Sequence, residues 1–241
     1  ETEEEEDLRQ FVKDRIALAK RYDEEQHLLD GGQAVTGVTR DPVLDQTNKN
    51  HSEYVRMQDT TIFLRKNFLP RNVNGLGTVF GGDLLEWMDS AATSCAAQFT
   101  RNPHVITIAM DRVFFHRPIL PSELLELKAT VVYCRRHTLQ VEVEVSILTP
   151  PWEEEPTVKG KKVSHTHKGR FFVLNLSDGG FKRPVGVGLD LSGDPDAMLS
   201  YAKAQHGFQF WASVRDQKKS FNKGIYGDGV CHSPWGLKED N

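Results

Sequence analysis

The chain has 241 residues, with 30 Lys and Arg against 34 Asp and Glu, a net charge of -4 and 38% hydrophobic residues. That is enough for one large domain, or one medium domain with extensions, and it leaves no basic surplus for general nucleic-acid binding. No run approaches the roughly 18 apolar residues of a membrane helix, no basic, apolar signal peptide opens the chain, and Cys95, Cys134 and Cys231 lack metal-ligand spacing, which favours a reducing compartment and implies no metal.

Residues 1 to about 50 are charged and predict one helix near Leu8 to Leu29, where Leu8, Phe11, Val12, Ile16 and Leu18 form an approximate apolar stripe. The following DGGQAVTGVTRDPVLDQTNKN reads as a linker from its Gly, Pro, Asn and Asp content. A first strand is expected in TTIFLRKNFLP, ended by Pro70. The turn-rich RNVNGLGTVF leads into a helix from about Gly82 to Phe99. VITIAMDRVFFH, SELLELKATVVYC and TLQVEVEVSILT are β-branched or aromatic strands, the last two joined by a tight RRH connection. Leu139, Val141, Val143, Val145 and Ile147 share one face of their strand and Gln140, Glu142, Glu144 and Ser146 the other, as in a half-exposed strand. After a charged loop, VSHTHKGRFFVLNL is the last strand. Asp194 and Pro195 then start a helix running to about Val214. One helix followed by a run of antiparallel strands is an α+β arrangement with the helix on one sheet face.

The stretch NVNGLGTVFGGDLLEWMDSAAT, Asn72 to Thr93, carries the chemistry. Gly81 and Gly82 stand at the mouth of the helix, where a backbone without Cβ atoms lets another group approach. The unpaired N–H groups of the first turn suit polarisation of a carbonyl oxygen. Asp89 sits among Trp87, Met88, Ala91 and Ala92, an apolar setting for an acid. It lies seven residues past Gly82, about 10 Å along a helix axis. One chain cannot bring both groups to the same carbonyl, whereas two antiparallel helices about a two-fold axis can. Thr93, four residues after Asp89, shares its face and can hold a water, and Asn74 offers an amide to the same carbonyl. Each has a plainer reading: Asn74 as a turn residue, Thr93 as a hydroxyl bonded back within the helix.

An asparagine (Asn74), a glycine three on (Gly77), a Gly-Gly pair four further and an acid seven beyond it resemble the helix motif of the hot-dog fold acyl-CoA thioesterases. VITIAMDRVFFHRPILPSELLEL resembles that family's second strand and following turn, and CRRHTLQVEVEV its next hairpin, so the likeness covers about Thr60 to Leu176. The resemblance implies a single hot-dog domain, a long helix wrapped by an antiparallel sheet, dimerised through the sheet and often assembled further into tetramers or hexamers. It implies hydrolysis of fatty acyl-CoA to free acid and CoA, with CoA as part of the substrate and no separate cofactor. Asp89 falls on the catalytic carboxylate, as general base or nucleophile, and Gly82 or Gly81 on the polarising amide of the partner subunit. Arg136 matches a basic residue near the CoA nucleotide, with Arg135 and Arg117 as further phosphate candidates. Thr78 stands where several relatives carry Asn or Asp.

This divides the chain into a charged N-terminal extension (1–52), a hot-dog domain (53–183) and a C-terminal extension with a helix (184–241). Cytoplasm and an organelle matrix such as the mitochondrion's both fit the cysteines. Two rival functions stay open. A non-catalytic acyl-CoA sensor would use the extensions to signal. A hot-dog dehydratase would pair an acid with a histidine, and no histidine lies in Asn72–Thr93. His116, His165 and His167 read as structural residues rather than metal ligands.

Overall fold

The computed structural model describes residues 3–30, 53–148, 157–158, 161–162 and 167–226. Its described elements are α1 (Glu3–Asp30), β1 (Tyr54–Arg56), β2 (Ile62–Lys66), α2 (Gly81–Thr100), β3 (Val105–Phe115), β4 (Leu125–Arg135), β5 (Thr138–Ile147), β6 (Thr157–Val158), β7 (Lys161–Lys162), β8 (His167–Asn175), β9 (Gly188–Asp190) and α3 (Pro195–Tyr226). Strands β2, β4, β5, β8 and β3 pair in that order into one antiparallel sheet. The sheet wraps α2, the α+β hot-dog arrangement. The linker, most of the charged loop after β5, His165 and the C-terminal tail lie outside the described residues.

The alternation in β5 sets the sheet's inner face: Leu139, Val141, Val143 and Val145 are fully buried. They meet Leu127, Ala129 and Val131 of β4 and Phe171 and Val173 of β8, all at 0% exposure. From α2 come Leu84, Met88, Ala91, Ala92, Cys95, Ala96 and Phe99, spaced three and four apart as one buried stripe. Its alanines let the helix approach the strands closely. Burial among these groups pushes the Cys95 thiol up to about 12, which makes it an inert packing residue.

The opposite face of β5 is less open than its polar residues suggest. Gln140 is fully buried, and the Glu142 side chain is 12% exposed between Lys168 and Arg170 of β8 (2.7 and 3.1 Å). Burial alone would raise the Glu142 carboxyl, but Lys168 and Arg170 outweigh it and hold it below its ordinary range. Burial likewise opposes the Lys168 charge, and Glu142 and Glu144 outweigh it and raise that ammonium.

The helix ends follow local chemistry. Phe80 caps α2 through its backbone carbonyl, which accepts from Asp83 and Leu84 N–H (3.1 and 3.3 Å). The Asp83 carboxylate in the first turn accepts from the Asn72 amide (2.6 Å). At the other end Arg101 turns left-handed (φ 51°) and Asn102 ties the exit to Asn175 (2.7 Å).

By their contacts, residues 53–201 form one unit, and 3–30 with 202–226 another. Residues 184–201 therefore run with the sheet-bearing unit, since β9 pairs in parallel with β1. Inside the second unit, Tyr22 stacks on His206 and Phe210 (ring centroids 4.8 and 4.4 Å), and His206 pairs with Glu25.

Candidate active site

The loop before α2 is closed by Asn74. Its Oδ1 accepts from the N–H groups of Leu76 (2.9 Å) and Thr78 (3.3 Å), and its Nδ2 donates to Thr78 Oγ1 (2.9 Å). Gly77 completes the turn at φ +78°, a conformation that glycine adopts without strain. Within one chain Asn74 and Thr78 thus serve each other. The loop delivers the chain to Phe80, whose N–H donates to the Asn72 carbonyl (2.8 Å).

The first two N–H groups of α2, those of Gly81 and Gly82, have no acceptor among the described residues. Two aromatic rings flank them. A Cβ at Gly81 would meet the Phe115 ring at 3.7 Å, and one at Gly82 would lie 2.4 Å from Phe80 Cε1. Gly82 is therefore the position where a side chain is excluded. Beside the pair opens a cavity of about 300 Å³, walled by Gly81 and Leu84 of α2, Phe115 of β3, His116, Arg117 and His167 of β8. Arg117 pairs with Glu123, while its Nε is sealed from solvent without a partner.

Asp89 stands two turns along α2, away from this cavity. It belongs to a row with Leu85, Thr93 and Ala97, spaced four apart and half-buried. One side of the row is the core stripe, and the other is the exposed Glu86, Ser90, Ser94 and Gln98. Asp89 Oδ1 is sealed from solvent and has no hydrogen-bond partner. An ionised oxygen in that state is costly unless another group meets it. The Thr93 hydroxyl donates to the carbonyls of Asp89 (3.1 Å) and Ser90 (3.0 Å), so its lone pairs are what it has left to offer.

Arg135 and Arg136 lie elsewhere. Their turn joins β4 to β5 at the end of the sheet where α2 finishes, opposite Gly81 and Gly82. One chain thus gathers Gly81, Gly82 and Arg117 at one end of α2, Asp89 and Thr93 along its middle, and Arg135 and Arg136 at the far end.

Three residues near this machinery were not legible from sequence. Thr107, in β3, has a sealed Oγ1 without a partner, the same state as Asp89 Oδ1. His167 is 3% exposed and packs edge-on to Phe115 (4.8 Å), and His116 stacks on Phe114 (6.3 Å). The absence of histidine from Asn72–Thr93 said nothing about the cavity, because the β3–β8 register carries Phe115 to His167 across more than 50 residues of chain.

Among the described residues no three His, Cys, Asp or Glu groups gather as metal ligands, and no helix is long and apolar enough to cross a membrane. A second cavity of about 300 Å³ opens on the outer sheet face beside Phe63, Thr130 and Glu144, away from all the groups above.

Residues 76–150 match the family described as the Thioesterase superfamily. An uncharacterized acyl-CoA thioester hydrolase of Zymomonas mobilis is 37% identical over 76 residues, 32% of this chain and 50% of that protein. Acyl-coenzyme A thioesterase 11 of Mus musculus is 25% identical over 142 residues, 59% of this chain and 23% of that one. The chain thus spans half or less of the length of these curated relatives. Among solved structures, an acyl-CoA hydrolase from Staphylococcus aureus in complex with butyryl-CoA, CoA and CoA disulfide is 21% identical. It superposes with a TM-score of 0.56 over 71% of this chain and 99% of its own.

Proposed function

Since this chain belongs to the thioesterase superfamily and has the hot-dog fold, we propose that it hydrolyses acyl-CoA thioesters to free acid and CoA. The observation that carries the reading is the state of Asp89: a carboxylate oxygen sealed from water and unmet, on the helix whose first N–H groups are also unmet. Both kinds of group are left open for a substrate. The related S. aureus hydrolase, solved with CoA ligands, supports the substrate class.

The working unit is a homodimer in which α2 meets its two-fold mate antiparallel. β3, the edge strand of the sheet, presents exposed Ile106, Ile108 and Met110 and supports a second copy there. The Gly82 N–H of one subunit, helped by Gly81, holds the thioester oxygen as it gains negative charge. Asp89 of the other subunit takes a proton from water, and the resulting hydroxide adds to the carbonyl carbon. The C–S bond then breaks, and the proton on Asp89 passes to the CoA thiolate. Attack by Asp89 itself, through a mixed anhydride cleaved by water, uses the same positions. Labelled water separates the routes, since in a single turnover only the anhydride route puts the enzyme's own oxygen into the product. Asn74 and Thr93 assist by contacting the carbonyl and the water, with Thr78 positioning Asn74. Arg117 and Arg135 contact CoA. Assembly of dimers into tetramers or hexamers is part of the proposal, as is a cytoplasmic or organelle-matrix setting.

The test is thiol release from a panel of short to long acyl-CoAs, with wild type beside Asp89→Asn. The reading expects turnover in wild type and a fall of at least about 10²-fold in the variant, the low end for general-base work. A wild type that binds acyl-CoA and releases no thiol sinks it in favour of a sensor. A second reading has one observation in its favour: His116 and His167 line the glycine-end cavity, so hydration of an enoyl-CoA belongs on the same panel.

A further inference from the structure

At the end of the sheet away from the glycines, the β4–β5 turn is tied to the chain beyond β8. Asn175 N–H donates to the His137 carbonyl (2.8 Å), Arg183 N–H to the Asn175 carbonyl (2.9 Å) and Val185 N–H to the Arg136 carbonyl (2.7 Å). The buried Asn175 amide donates to the carbonyls of Arg183 and Pro184 (3.0 and 3.2 Å) and holds the same corner from inside. These bonds bring Arg136, Lys182 and Arg183 onto one corner. All three are exposed, and none forms an ion pair or side-chain hydrogen bond. Asp178, the nearby acid, pairs with His104 instead (3.3 Å). Arg136 holds φ +52°, where glycine would sit without strain, and His137 Nδ1 is sealed without a partner.

Backbone bonds, not the cationic side chains, hold this corner, so three uncompensated charges are left for a ligand. The chemistry they suit is a cluster of phosphates. The corner lies level with the end of α2, eleven residues past Asp89, or roughly 16 Å along the axis, a distance that an extended pantetheine arm spans.

We infer that Arg136, Lys182 and Arg183 form a phosphate platform for the CoA nucleotide, so that the protein selects ligands carrying that nucleotide over pantetheine alone. This rests on the thioesterase reading and deepens it. Lys182 and Arg183 come from the segment after β8, beyond the helix motif and the hairpin. The platform and Asp89 belong to one chain, and the glycine amides to its partner.

The experiment is calorimetric titration of the full chain with CoA, 3′-dephospho-CoA and pantetheine. Wild type is compared with Arg136→Gly and with the double variant Lys182→Ala/Arg183→Ala. Arg136→Gly suits the backbone at φ +52°, and the double variant leaves the corner's backbone bonds in place, so both should fold. The platform expects wild type to bind CoA more tightly than dephospho-CoA, and that more tightly than pantetheine, with the CoA advantage shrinking at high salt. Each lost cation should weaken CoA roughly fivefold and leave pantetheine unchanged. Unchanged CoA affinity in the variants, or an equal fall for pantetheine, overturns the inference. Failure of the thioesterase reading would show separately as absent thiol release, with these affinities still readable.

Discussion

Replacing Gly82 by alanine separates a role at the helix mouth from a role in packing. The added Cβ would sit 2.4 Å from Phe80 Cε1 and 3.0 Å from Cδ1. Carbon atoms rest at roughly 3.5 Å or more, so the ring must shift by about 1.1 Å. Phe80 is 55% exposed and can swing into solvent, at about 0.5–1.5 kcal/mol if it leaves its rotamer. Alanine in a helix returns up to about 1 kcal/mol relative to glycine. The two nearly cancel, and stability should change by no more than about 1 kcal/mol, a Tm shift of roughly 2–4 °C for a chain of this size. Activity should respond quite differently, because the methyl and the displaced ring occupy the approach to the Gly82 amide. We expect kcat to fall toward the 10²–10³-fold typical of a lost oxyanion donor. Gly81→Ala is the matched control: its Cβ meets Phe115 at 3.7 Å, an ordinary contact, so its loss should be much smaller. The assays are thermal melting and steady-state thiol release on both variants. Equal losses from Gly81→Ala and Gly82→Ala, full activity in Gly82→Ala, or unfolding of Gly82→Ala would each refute the reasoning.

Thr107→Val removes a hydroxyl that has no partner, so stability should hold or rise slightly, by about 1 kcal/mol at most. A fall in kcat without a fall in Tm would assign that hydroxyl to the reaction, and unchanged kinetics would remove it. Glu142→Gln breaks a nearly buried pairing with Lys168 and Arg170 and should cost about 3 kcal/mol in urea unfolding. The pH dependence has a definite sign. The folded Glu142 carboxyl lies below its ordinary value, so its contribution is present at neutral pH and is lost as pH falls through the folded value. Wild type should therefore lose more stability than Glu142→Gln between neutral and acid pH, and parallel losses would count against the pairing.

Much of the fold was legible because its signals are local. The β5 alternation, the glycine pair followed by small residues and the two-residue β4–β5 turn each declare themselves within a dozen residues. The half-buried row of Leu85, Asp89, Thr93 and Ala97 was half visible, since spacing fixes its face but not what lies beside it. The pairing of β1 with β9 was not legible, because two three-residue strands more than 130 residues apart leave no periodic trace. Nor was the covered outer face of β5: Gln140 and Glu142 look solvated by pattern, and burial there depends on charges brought by β8. His116 and His167 failed to register for the same reason, as only the β3–β8 register makes them neighbours of Gly81.

The central claim is that two copies of this chain share each site, and mixing two inactive variants tests it most directly. Asp89→Asn and Gly82→Ala chains, each prepared alone, should release little thiol from acyl-CoA. Unfolded and refolded together in equal amounts, half of the resulting dimers pair one of each, and each mixed dimer carries one site with Gly82 and Asp89 both intact. The account expects recovery of about a quarter of wild-type activity. No recovery from a mixture shown to contain mixed dimers would mean that the glycine amide and the carboxylate act within one chain, and the shared site would have to be abandoned.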